Sequence, residues 1–96
     1  MSRPRQRTDD IRARLERELD AELVEVTDDS ARHAGHAGAS EGGGHYRVCV
    51  VSARFAGLSR VAAQRLVYEA LGSLMRDAIH ALEMRTLTPE QWRRGG

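Results

Sequence analysis

The sequence predicts an α+β fold, a three-stranded mixed sheet with its helices packed on one face. Two observations predict it. Apolar residues recur every three to four positions near the start of the chain and again over residues 60–75, whereas residues 22–27, 45–52 and 80–87 alternate with period two. The connections agree: the first two strands suit an antiparallel pair, while the long helix before the third gives it a parallel, right-handed crossover.

Each element has its own reason. Thr8 is placed to cap a first helix, Asp9 and Asp10 suit the positive end of its dipole, and Ile11, Leu15 and Leu19 form one stripe. Residues 1–7 then read as a basic, flexible end. Glu22 to Thr27 is a first strand, with Val24 and Val26 on one face. HYRVCVVS, His45 to Ser52, is β-branched, with Tyr46, Val48 and Val50 on one face and Arg47, Cys49 and Val51 on the other. Phe55-Ala-Gly-Leu58 turns the chain, and Ser59 caps a helix to about Met75. Its apolar stripe is Val61, Leu66, Val67, Ala70, Leu71, Leu74 and Met75, with Gly72 marking a point of close packing or fraying. His80 to Leu87 is the third strand, Leu82 and Met84 opposite Glu83 and Arg85. Thr88-Pro89-Glu90 starts a brief helix ending near Trp92. A single domain over 8–92 results, with 93–96 a flexible C-terminus.

Composition narrows the function. Ninety-six residues build one modest core. A net charge of +1, from fifteen arginines against fourteen acids, provides no overall field for nucleic acid or anionic membrane, so any such role needs a local patch. One cysteine, Cys49, excludes an intrachain disulfide and suits a reducing compartment. No apolar run approaches the ~20 residues that span a bilayer, and MSRPRQRTDD lacks the apolar centre of a secretory signal. The cytoplasm is the expected location, with no membrane partner. Gly42-Gly43-Gly44 precedes a strand, where a phosphate cradle needs a helix start. Cys49 reads as a small buried or half-buried side chain and not a nucleophile, and Asp28 and Asp29 as solvated acids that end a strand.

The segment DDSARHAGHAGASEGGGHY, residues 28–46, holds three of the four histidines in a run too rich in glycine and alanine to pack. Ala34 to Gly44 is expected to be mobile. A connection of this length is functional or disordered. In the predicted topology a parallel third strand begins where this loop joins the sheet, which puts His80 beside the loop carrying His33 and His36, with His45 at its exit. Imidazoles gathered at one rim suit iron, copper or zinc. The spacing His33-Ala-Gly-His36 alone does not separate a metal site from incidental histidines on a polar loop.

HYRVCVVSARFAGLS, RLVYEAL, Ile79-His-Ala-Leu82 and Thr86-Leu-Thr-Pro-Glu-Gln-Trp92 closely resemble the BolA family, and DDSARHAG fits the segment before that family's variable loop. The resemblance covers residues 8–92. It implies an αββααβα arrangement akin to the type II KH fold, in which the long helical stretch splits into a short turn and a longer helix. It also implies a non-enzymatic partner of monothiol glutaredoxins that shares a [2Fe-2S] cluster with glutaredoxin and glutathione, in iron-sulfur trafficking or iron regulation. No cofactor is expected in the isolated chain, and its self-association is expected to be at most a weak homodimer. The ligands that the resemblance assigns to this chain are His80 and, through the D-D-S-x-x-H match, His33, with His36 as competitor. Neutral imidazoles in place of thiolates raise the reduction potential and make ligation acid-sensitive.

The chain departs from the family in carrying Ala63-Gln64 where Arg-His often precedes Arg-Leu-Val. A second reading is nucleic-acid binding and transcriptional control, because relatives are linked to it and KH-like folds clamp a backbone with G-x-x-G. Here the corresponding turn is Gly57-Leu-Ser-Arg60, with only the first glycine, and Arg54, Arg60 and Arg65 would form the patch on DNA.

Overall fold

A computed structural model describes residues 4–29, 44–77 and 79–95. Its elements are α1 (Pro4–Leu19), β1 (Leu23–Asp28), β2 (Gly44–Val51), a 3-10 turn (Ala53–Phe55), α2 (Arg60–Leu71), α3 (Ser73–Asp77), β3 (Ile79–Leu87) and α4 (Pro89–Arg93). The sheet has the order β1-β2-β3. β1 runs antiparallel to β2, with Val24 opposite Val50 and Val26 opposite Val48. β3 runs parallel to β2, with Tyr46 opposite Leu82 and Val48 opposite Met84. This is the expected mixed sheet.

One face of the sheet is the core. Val24, Tyr46, Val48 and Val50 are buried against Ile11, Leu15 and Leu19 of α1 and Ala63, Val67, Ala70 and Leu71 of α2. The other face presents Glu25, Thr27, Arg47, Glu83 and Arg85 to solvent, so alternation along the strands produced a one-sided layer.

Three expectations are corrected. α1 begins at Pro4, four residues before Thr8. A proline is tolerated in the first turn because its missing N–H has no intrahelical partner there, and arginine and glutamine continue the helix readily. Thr8, Asp9 and Asp10 therefore lie inside the helix and not at its positive end, and Asp9 pairs with Arg12 at 3.4 Å. Val61 is 62% exposed. At 100° per residue the inward stripe of α2 is Ala63, Val67, Ala70 and Leu71, and Val61 falls outside it. The long helical stretch divides at Gly72, whose φ of 53° is a left-handed value that only glycine adopts freely. The short piece is thus α3, after the long helix, with the 3-10 turn before it.

The sheet is tied to the helices at its far end by Ser52, which is fully buried. Its hydroxyl donates to the Leu19 carbonyl at 2.6 Å and accepts from the Arg54 amide at 3.1 Å. Its own amide donates to the Leu87 carbonyl at 2.9 Å. One residue therefore satisfies the C-terminus of α1, the 3-10 turn and the end of β3. Arg14 adds a second tie, donating to the Leu71 carbonyl at 3.2 Å where α2 ends.

Ser52→Ala leaves the Leu19 carbonyl and Arg54 amide without this partner in a buried position. Urea unfolding is expected to show a loss of about 1–3 kcal/mol, and an unchanged midpoint would contradict the role given to this hydroxyl.

Candidate functional site

β2 and β3 run parallel, so both begin at the same end of the sheet, and each brings a histidine there. The His45 and His80 rings lie with centroids 5.2 Å apart and planes inclined at 43°. His80 is exposed and His45 half-buried. The register explains the pairing. Gly44 stands opposite Ile79 but His45 opposite Ala81, so His80 is an extra residue on β3, a bulge. The bulge lets Ile79 and Leu82, three residues apart, both reach the core, while His80 and Ala81 between them are exposed. Bulges at a sheet end re-aim side chains, and here the side chain re-aimed is an imidazole.

Gly44 is part of the same device. A Cβ there would fall 2.6 Å from Tyr46 Cε2 and 2.8 Å from its Cζ and Oη. The Tyr46 ring is 3% exposed and lies over Gly44, its hydroxyl receiving a hydrogen bond from Arg7 of α1. Burial pushes the phenol above its ordinary range, with the Arg7 hydrogen bond and charge opposing, so it stays neutral and acts as a packing group. Thus α1 packs through Tyr46 onto the first residue of β2, immediately before His45.

Beside the histidines stands a charged clasp. Arg47 is 3.0 Å from Asp29 and 4.0 Å from Glu83, which links the end of β1, the start of β2 and β3. The Asp29 amide also donates to the His45 carbonyl at 2.7 Å, extending the β1–β2 ladder past the strand. Asp29 was expected to be solvated. Instead its carboxylate is largely covered, because the register that sets Thr27 opposite Arg47 brings the guanidinium within its reach.

Of the residues that the sequence singles out, His80 is at this site, while His33 and His36 lie outside the described residues, as does the expected mobile stretch up to Gly43. Two imidazoles are what the described residues offer a metal here, for among them no three His, Cys, Asp or Glu side chains gather closely enough to hold an ion. Cys49 is further along β2 on the open face, half-buried and opposite Arg85. Burial and the nearby Glu25 charge push its thiol up, with Arg85 opposing. It remains protonated at neutral pH, a poor ligand and nucleophile. Arg54, Arg60 and Arg65 are exposed around the 3-10 turn and the start of α2, beyond the other end of β2.

The sequence reading did not assign Gly44, Arg47 and Asp29. The aromatic two residues after Gly44 was the one local signal for the first; the ion pair follows only once the β1–β2 register is known.

The model for BolA-like proteins matches residues 15–91. The chain belongs to the BolA-like protein family. The mouse (Mus musculus) BolA-like protein 1 is similar at 45% identity over 83 residues, which is 86% of this chain and 58% of the relative. The BolA-like chain therefore spans about three-fifths of that relative's length. The DNA-binding transcriptional regulator BolA of Vibrio cholerae is 38% identical over 88% of the chain and 76% of its own length. Among solved structures, the solution structure of BolA1 from Mus musculus superposes with a TM-score of 0.77 at 39% identity, covering 98% of this chain and 72% of that one.

Replacing Gly44 by alanine in this BolA-like chain drives a methyl into the Tyr46 ring. The expected result is a loss of about 1–3 kcal/mol together with altered NMR resonances of the His45 and His80 imidazoles. Unaltered imidazole resonances would show that Gly44 does not set the histidine end.

Proposed function

We propose that the chain is a cytoplasmic accessory protein, not an enzyme, that pairs with a monothiol glutaredoxin and coordinates or hands on a [2Fe-2S] cluster in iron-sulfur trafficking or iron regulation. Membership of the BolA-like family supports the reading. Among the described residues no helix is long and apolar enough to cross a membrane. The observation that carries it is the His45–His80 pair at the root of the segment bearing His33 and His36.

The donor set fits the cluster. Imidazole nitrogen is an established iron ligand, and a mixed thiolate and imidazole shell is known for [2Fe-2S] centres. His80 would supply one nitrogen and His33 a second, with His36 the competitor, while glutaredoxin and glutathione thiolates complete the shell. His45, beside His80, is placed either to replace the loop ligand or to hold the His80 ring in its rotamer. The cluster supplies iron and sulfide for transfer. The chain's own contribution would be imidazole nitrogens, for which protons would compete with iron.

The test is to form the complex with glutaredoxin, glutathione and an iron-sulfur source, and to record visible spectra for wild type and for alanine variants at His33, His36, His45 and His80. His80→Ala is expected to change the spectrum and shorten cluster lifetime by about tenfold or more, with His33→Ala the strongest of the other three. Wild-type spectra from every variant would remove the ligand assignment. Failure to form any heterodimer would remove the function.

A second reading, DNA binding, is favoured by the name of the Vibrio cholerae relative and by the exposure of Arg54, Arg60 and Arg65. A salt-dependent mobility shift on duplex DNA at physiological ionic strength decides for it; absence of a shift beside tight glutaredoxin binding decides against it.

A further inference from the structure

At the end of the sheet away from the histidines, a groove of about 500 Å³ runs between the start of α2, residues 84–87 of β3 and α4. Phe55 and Leu87 are buried beneath it, Met84 is half-buried and Leu58, 41% exposed, stands at its lip, while the surface it offers is mostly polar, with Ser59, Gln64, Thr86 and Gln91 along it. Arg60 and Arg85 border it, and no carboxylate lines it. Neither arginine is held in a salt bridge among the described residues. In a chain whose net charge is only +1 this is a local excess of positive charge. The groove also follows a strand edge that is free among the described residues, because β3 pairs with β2 on one side and with no described strand on the other.

We propose that this groove binds an extended acidic segment of a partner protein, which adds to the free edge of β3 as a fourth strand. Strand addition supplies main-chain hydrogen bonds, and side chains of the added strand alternate between its two faces. Arg60 lies with Met84 on the helix side of the sheet, and Arg85 on its open side, so carboxylates on the two faces of the added strand meet one arginine each, whose planar guanidinium donates to a carboxylate in two-pronged geometry. A nucleic acid fits the groove less well. The floor's one aromatic ring, Phe55, is 4% exposed and offers no face for a base to stack on. Arg60 also stands where a G-x-x-G backbone clamp has its second glycine. The inference does not depend on the cluster reading, since the groove lies at the opposite end of β3 from His80.

The test uses the full chain and three fluorescent probes: an extended peptide with glutamates at adjacent positions, so that both of its faces are acidic, the same peptide with lysine for glutamate, and a single-stranded oligonucleotide. Anisotropy is expected to rise with the acidic peptide alone, and amide NMR shifts should concentrate at residues 84–87. Arg60→Glu and Arg85→Glu, each checked for native circular dichroism, are expected to weaken binding by about tenfold or more, as loss of a charge-assisted hydrogen bond implies. His80→Ala should leave it unchanged. Equal binding of both peptides, binding of the oligonucleotide in place of the acidic peptide, no binding of the acidic peptide, or charge-reversed variants that bind normally would each overturn the proposal.

Discussion

The parallel pairing of β2 with β3 is the constraint on which the histidine end of this molecule depends. Residues 44–51 and 79–87 are separated by two helices, yet their ladder runs from Gly44 opposite Ile79 to Val51 opposite Leu87. In a parallel pair both strands start at the same end, so two side chains far apart in sequence meet without any direct attraction between them. The ladder is held in turn by the one-sided core. A register slip by one residue would expose Leu82 and Met84 and bury Glu83 and Arg85, which ties the position of His80 to burial elsewhere in the sheet.

The two ends of this sheet are built differently. At the far end, Ser52 joins α1, the 3-10 turn and β3 through three hydrogen bonds. At the histidine end the ties are a bulge, an aromatic ring stacked over a glycine and an ion pair bordering the exposed face. Such contacts fix where the root of the 28–44 segment leaves the sheet. They leave His80 exposed and His45 half-buried.

Much of the fold was legible in the sequence. Period-two alternation in Tyr46, Val48 and Val50 and in Leu82 and Met84 is read directly, and the helix between them dictates the parallel pair. Local capping chemistry was legible too, since Thr88 and Gln91 form the expected start of α4 with a reciprocal capping box. What was not legible arises from competition between local and distant preferences. Thr8 is a good cap, but Pro4 can open the helix earlier, and local rules do not rank the two. The bulge at His80 results from two apolar residues, Ile79 and Leu82, competing for one face at a spacing that a regular strand cannot satisfy. Gly44 read as the last residue of a pliant loop, whereas a Cβ there would meet the tyrosine ring two residues on unless that ring moved. For the site, topology brought His80 and His45 together, and family resemblance alone chose His33 from the loop.

The central claim is that imidazole nitrogens of this chain bind the iron of a cluster shared with glutaredoxin. Its most direct test is pulsed electron paramagnetic resonance on the reduced heterodimer, in which only the BolA-like chain carries ¹⁵N-labelled histidine. Strong ¹⁵N couplings that disappear when the label is omitted, and weaken with His80→Ala, are the predicted result. A reduced cluster with no histidine nitrogen coupling from this chain would contradict the account.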